Sequence, residues 1–157
     1  MYAVFGGSGL ASLATLEVTR REVVRTPFGE PSGALTFGIL GGHEVVFLPR
    51  HGYGHTIPPH QINYRANLWA LREARVEGVF AVTSVGGIRD EFGPGTLVVP
   101  DQIIDYTHGR QHTFFEWQRQ RAGLASKTFT ALAIMRKQRF ALSGWCCIPS
   151  VAVSPPK

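Results

Sequence analysis

The sequence predicts an α/β fold with a mixed, mostly parallel central sheet flanked by helices. Three observations lead there. Short apolar runs of strand length stand on both sides of one stretch with helical period. Glycine and hydroxyl residues follow the carboxyl ends of those runs. Hydrophobic residues make up 44% of the 157 and charged residues 17%, enough apolar side chain for one buried core.

Tyr2-Ala3-Val4-Phe5 reads as a buried strand feeding the tight turn Gly6-Gly7-Ser8-Gly9. A polar stretch runs through Arg25, and Thr26-Pro27-Phe28-Gly29 is the next turn. Ala34–Leu40 and Glu44–Leu48 flank Gly41-Gly42, the pattern of two strands joined as a hairpin, and the second leads directly into Pro49-Arg50-His51-Gly52. Pro58-Pro59 is a stop. After it, Ile62, Ala66 and Trp69 recur at spacings of four and three, which predicts an amphipathic helix over Gln61–Glu77 that packs on the sheet. Val79–Val82 is another buried strand, ending in Thr83-Ser84-Val85-Gly86-Gly87. Leu97–Val99 and Ile103–Ile104 add one or two more. Folds of this kind collect ligands at the carboxyl ends of their strands.

The formal charge of +5 points to a nucleic-acid or anionic-surface binder until it is divided along the chain. Residues 1–116 hold nine arginines, no lysine and all eleven acidic residues, a net −2. Residues 117–157 hold Arg119, Arg121, Lys127, Arg136, Lys137, Arg139 and Lys157 and no acid, a net +7. The body and the tail are therefore separate units, and no nucleic-acid partner is expected for a slightly acidic body with dispersed arginines. No apolar run reaches the eighteen or so residues of a spanning helix and Met1–Phe5 has no basic leader, so a soluble, cytoplasmic protein with no membrane partner is expected. Cys146 and Cys147 are adjacent, which would strain a bridge between them and makes no metal-ligand pattern.

Three segments could hold an anion. Glycines around Ser8 let backbone N–H groups turn toward an oxyanion, and the Ser8 hydroxyl adds a neutral donor. Read alone, a plain turn is the commoner explanation. Arg50 and His51 follow a strand, and a guanidinium there offers a fixed fork of donors suited to phosphate oxygens, although a rim ion pair beside a surface histidine explains them equally well. Thr83 and Ser84 supply hydroxyls at a third strand end, where a capped turn is the ordinary case. Three such ends in one sheet favour a shared oxyanion site over any of them singly.

Gly6-Gly7-Ser8-Gly9-Leu10, Thr26-Pro27-Phe28-Gly29-Glu30-Pro31-Ser32, Arg50-His51-Gly52 and the run from His55 through Leu71 resemble, in order and spacing, successive landmarks of the methylthioadenosine/methylthioinosine phosphorylase branch of the purine nucleoside phosphorylases. Residues 83–89 and 99–107 continue the series, so the resemblance covers essentially all of 1–116. Pro58-Pro59-His60-Gln61 and Val85-Gly86-Gly87-Ile88 look more like the bacterial S-methyl-5′-thioinosine phosphorylases.

The resemblance implies phosphorolysis of a 5′-methylthio purine nucleoside to free purine and 5-methylthioribose 1-phosphate, in purine and methylthio salvage. It implies phosphate binding by Ser8, Arg50, His51, Thr83 and Ser84, with Ser8 standing where the family usually has threonine. It also implies a homotrimer, with phosphate as co-substrate and no metal or organic cofactor. His51 either donates to phosphate or orients Arg50. His55 is a candidate substrate-binding residue, against the commoner reading of an exposed loop histidine. Asn63 and Asn67, four apart on one helix face, read as a cap and an internal polar contact, and Tyr64 and Trp69 as core or subunit-contact residues.

The resemblance stops at Glu116, where the composition changes. The family's second half, which recognises the base, has no counterpart in 117–157, so the catalytic base-activating residue is unassigned and the fold is expected to be truncated. The tail is expected to be frame-shifted or disordered, the alternative being a basic helix over Lys127–Arg139. A catalytically incomplete phosphate- or nucleoside-binding fragment is the second functional reading.

Overall fold

The computed structural model describes residues 1–7, 10, 12–100, 109, 111, 114 and 129–135. Its elements run β1 (Tyr2–Gly6), β2 (Glu17–Glu22), β3 (Leu35–Leu40), β4 (His43–Pro49), α1 (Tyr64–Glu73), β5 (Gly78–Val85), β6 (Leu97–Val98) and β7 (Phe129–Met135). One sheet holds all seven strands in the order β2-β3-β4-β1-β5-β7-β6.

The sheet is mixed, but not mostly parallel. β1 lies parallel between β4 and β5, and β7 is parallel to β5, whereas β2–β3, β3–β4 and β6–β7 are antiparallel. The hairpin accounts for part of this. Gly41 and Gly42 both take positive φ, 56° and 81°, which lets two residues reverse the chain without splaying β3 from β4. Only one α-helix occurs among the described residues, so the expected flanking helices reduce to α1 on one face.

Alternation along the strands sends Ala3 and Phe5, Leu35 and Phe37, and Val46 and Leu48 into one buried cluster with Tyr64, Ala70 and Leu71 of α1. β2 carries no such alternation: Glu-Val-Thr-Arg-Arg-Glu is exposed at every position. It is an edge strand with charges along it and a register shift between Val18 and Arg20, the features that keep an open edge from pairing with another chain.

The helix is shorter than the predicted Gln61–Glu77, because its ends are set by hydrogen bonds rather than by periodicity. Pro59–Gln61 forms a separate 3-10 turn. Asn63 is the N-cap, its Oδ1 accepting from Ala66 N at 3.1 Å while its Nδ2 donates to Phe28 O at 2.7 Å. At the other end Arg75 N donates to Arg72 O and Val76 N to Leu71 O, the paired bonds of a Schellman cap, with Arg75 at φ 56°. Asn67 is internal, accepting from Ser32 N at 2.7 Å and donating to Ser32 Oγ at 2.9 Å. Both asparagines are thus structural, as the spacing predicted. Tyr64 is buried in the core; Trp69 is half-buried and meets Phe28 edge-on at 5.5 Å.

Residues 129–135 form a strand, so the helical alternative over Lys127–Arg139 is not adopted there. Phe-Thr-Ala-Leu-Ala-Ile-Met carries no charge until Arg136, and a run that is apolar at every position but Thr130 suits an interior strand. The rest of 117–157, and the strand expected at Ile103–Ile104, lie outside the described residues.

A side chain at Arg75 must hold the left-handed conformation that glycine takes freely. Arg75→Gly is therefore expected to stabilise the chain by about 0.5–1 kcal/mol, read as a rise in the urea midpoint without a change in slope.

Candidate functional site

The order β4-β1-β5 sets three carboxyl ends side by side. They are nearly level, since Gly6 pairs with Pro49, and Phe5 pairs with Ala81 two residues before Thr83. The sequence-predicted segments at the ends of β1, β4 and β5 therefore converge.

Arg50 links them. Its backbone N–H donates to Gly6 O at 2.9 Å, fastening the end of β4 to the end of β1. Its side chain crosses to β5, with Nη1 donating to Val82 O at 3.0 Å and Nη2 to Thr83 Oγ1 at 2.9 Å. The residue is only 2% exposed. Val82 O and Thr83 Oγ1 are neutral acceptors, so they orient the guanidinium without cancelling its charge.

This crossing explains Gly7, and close packing explains Gly6 before it. A Cβ on Gly7 would lie 2.2 Å from Arg50 Nη2 and 2.5 Å from Cζ, and one on Gly6 would lie 2.4 Å from Leu10 O and 2.8 Å from the Phe47 ring. Neither glycine has positive φ, so close approach requires them, not backbone conformation. Gly7 thus joins the site as a residue that sequence reasoning left out of its candidates, although the Gly-Gly pair was the available signal. Ser8 lies outside the described residues.

Thr83 is 3% exposed and Ser84 half-buried, consecutive at the end of β5. His51 is 3% exposed and belongs to a closed loop: its Nδ1 is 2.9 Å from Ile57 O, and Ile57 N donates to His51 O at 2.9 Å. Left-handed residues at Gly52, Gly54 and His55 turn the chain between them. The turn lays the exposed His55 ring 4.4 Å from that of His51, tilted by 39°. The structure therefore brings His55 to the edge of the cluster, and leaves His60 on the exposed 3-10 turn. Ile57 acts through its carbonyl, which no side-chain pattern could reveal.

Burial holds the His51 imidazole below the ordinary histidine value, and the Arg50 and His55 charges push the same way, against the raising effect of the Ile57 carbonyl. A guanidinium on neutral anchors, a hydroxyl strand end and a neutral imidazole at the carboxyl end of a sheet can hold a small oxyanion. A cleft of about 410 Å³ bordered by Glu22, Arg25, Trp69 and Glu73 is separate, and none of Arg50, His51, Thr83 or Ser84 lines it. Among the described residues no cluster of His, Cys, Asp and Glu could hold a metal ion.

Two outcomes follow from this geometry. Gly7→Ala forces a methyl into the guanidinium and is expected to cost about 1–3 kcal/mol in urea unfolding, with part recovered when Arg50→Met is added, since the two positions share one contact. His51 binds its proton less readily folded than unfolded. Its contribution to stability is therefore complete above about pH 6.5 and falls as the pH drops below that toward the lowered folded value. A pH series of melting temperatures should be flatter below pH 6.5 for His51→Gln than for the parent.

Comparison with known proteins agrees with this layout. The model of the family described as "Phosphorylase superfamily" matches residues 1–142. That match passes the point, Glu116, at which the sequence motifs end, and takes in β7. A probable S-methyl-5′-thioinosine phosphorylase of Pseudomonas syringae pv. tomato is 50% identical over 115 residues, 73% of this chain and 47% of the relative. An S-methyl-5′-thioadenosine phosphorylase of Hyperthermus butylicus is 54% identical over 114 residues, 73% of this chain and 42% of the relative. Among solved structures, methylthioadenosine phosphorylase from Schistosoma mansoni in complex with adenine superposes with a TM-score of 0.71 at 38% identity, over 78% of this chain and 44% of that one. The chain thus spans less than half the length of these relatives. The matched family model, the identity over 115 residues and the shared sheet lead to one conclusion: this chain belongs to the phosphorylase superfamily.

Proposed function

We propose that the ends of β1, β4 and β5 bind inorganic phosphate, and that the chain serves phosphorolysis of a 5′-methylthio purine nucleoside, S-methyl-5′-thioinosine or methylthioadenosine. The observation that carries this reading is the Arg50 guanidinium, buried at the junction of three strand ends and held by Val82 O and Thr83 Oγ1. Relatives named for both nucleosides support the substrate class.

In the proposed reaction a phosphate oxygen forms a bond to the anomeric carbon as the bond from that carbon to the purine nitrogen breaks. The bonding pair leaves with the purine, which takes up a proton. Arg50, with Ser8, Thr83 and Ser84, would hold phosphate against the sugar face, and the bound anion would stabilise positive charge developing on the ribosyl ring. His55, beside His51 at the edge of the cluster, would meet the nucleoside. The group that protonates the purine is not among the residues assigned here. No metal or organic cofactor enters the scheme, and a homotrimer is the proposed assembly.

One observation favours a second reading. The relatives are more than twice as long as their match to this chain, so these residues could hold phosphate without carrying the base-activating group.

The deciding measurement is release of free purine from methylthioinosine and methylthioadenosine, with and without phosphate, for the parent and for Arg50→Met. Turnover is expected to require phosphate and to fall at least about a hundredfold in the variant, the scale of losing a charged transition-state contact. No release by the parent, with phosphate still raising its melting temperature, would establish the second reading instead.

A further inference from the structure

Parallel strands occur with both faces of their sheet covered. One face of β1 and β5 is: Ala3, Phe5 and Val79 pack with Tyr64, Ala70 and Leu71 of α1. The alternate residues point the other way, and the register sets Val4 beside Phe47 of β4 and Phe80 of β5, and Tyr2 beside Gly78. Gly78 has no side chain, so Tyr2 meets Phe80 instead, the ring centroids 5.7 Å apart. Both rings are exposed, Tyr2 by 48% and Phe80 by 40%, although Phe47 and Val82 of the same face are buried. The opening therefore lies toward the amino ends of β1 and β5. Among the described residues no second α-helix closes it.

We propose that the uncharged segment 140–153 of this same chain docks on Tyr2 and Phe80 and closes that face. The segment reads Phe-Ala-Leu-Ser-Gly-Trp-Cys-Cys-Ile-Pro-Ser-Val-Ala-Val and lies outside the described residues. An apolar stretch and an apolar face in one molecule are driven together by the water that both give up. The reach is sufficient. The chain leaves β7 at Met135, and β7 lies beside β5. Returning along β7 takes roughly 23 Å and crossing to β1 about 10 Å. Residues 140–153, which follow the basic Arg136, Lys137 and Arg139, span roughly 45 Å when extended. The tether also favours this segment over a second copy of the chain, since it sets an effective concentration on the order of millimolar. The inference is independent of the phosphate-site reading.

The test is hydroxyl-radical footprinting of the whole chain, with Tyr2 compared against Tyr53, the same residue type at 42% exposure. Covered by the segment, Tyr2 is expected to oxidise at least about fivefold more slowly than Tyr53, the factor by which even a marginally favoured closed state outnumbers the open one. Trp145→Asp combined with Ile148→Asp puts two charges into the segment, and should bring the two tyrosine rates to within about twofold of each other. Phe37, buried in the core, should stay protected in both chains and so report that the sheet is intact. Equal rates for Tyr2 and Tyr53 in the parent would overturn the inference. Protection of Tyr2 that survives the two substitutions would also overturn it, by assigning the cover to another part of the chain. Protection that fades on about hundredfold dilution would replace the segment with a second copy of the chain.

Discussion

The buried Arg50 guanidinium organises the described residues. Taking a guanidinium out of water is costly unless its donors find partners, and Arg50 finds two of them, from Nη1 and Nη2, by reaching from the end of β4 to the carbonyl of Val82 and the hydroxyl of Thr83 on β5, while its Nε is buried with no hydrogen-bond partner. β1 lies between those two strands, so the side chain must pass the end of β1 at close range. That path explains Gly7, whose Cβ would meet the guanidinium, and it runs beside the backbone bond from Arg50 N to Gly6 O. The same side chain thus fixes sheet geometry and sets a positive charge where folds of this kind meet their ligands.

The loop after β4 is built around a different constraint. His51 is buried one residue beyond Arg50, and its Nδ1 is anchored on Ile57 O across a turn that needs left-handed backbone at Gly52, Gly54 and His55. His55 accepts that conformation without being glycine, and in doing so presents its ring to His51. Burial holds the His51 imidazole below the ordinary histidine value, and the neighbouring Arg50 and His55 push the same way. Asn63 and Asn67 tie α1 to Phe28 and Ser32, so the motif-rich stretch from Thr26 to Leu71 is held as one unit.

Much of this was legible in the residues. The strand runs ending in Gly-Gly, Arg-His and Thr-Ser were visible as anion-site candidates before their convergence was known, and the capping roles of Asn63 and Asn67 follow from their spacing. β2 was not legible, because a charged edge strand has no buried face and hence no period to read. The helix boundaries were misjudged for a related reason: apolar spacing continues past both ends, while the Asn63 cap and the Arg75 turn that stop the helix act through backbone groups. The strand at 129–135 was masked by the basic residues beyond it, which gave the surrounding stretch the look of a cationic helix.

By itself the sequence determined the alternation of strands and helix, the polar chemistry at each strand end, and membership of a phosphorylase lineage through motifs in fixed order. Those properties are local, carried by residue type and spacing along the chain. Only the tertiary structure decided that β1 lies between β4 and β5, that half of the strand pairings are antiparallel, and that the Arg50 guanidinium rests against Gly7 while holding Thr83. It also decided which nitrogen of His51 carries the proton, because that choice depends on a backbone carbonyl six residues away whose position no side-chain pattern encodes. Pairings between residues more than thirty apart, and contacts made through the backbone, exist only once the sheet has closed.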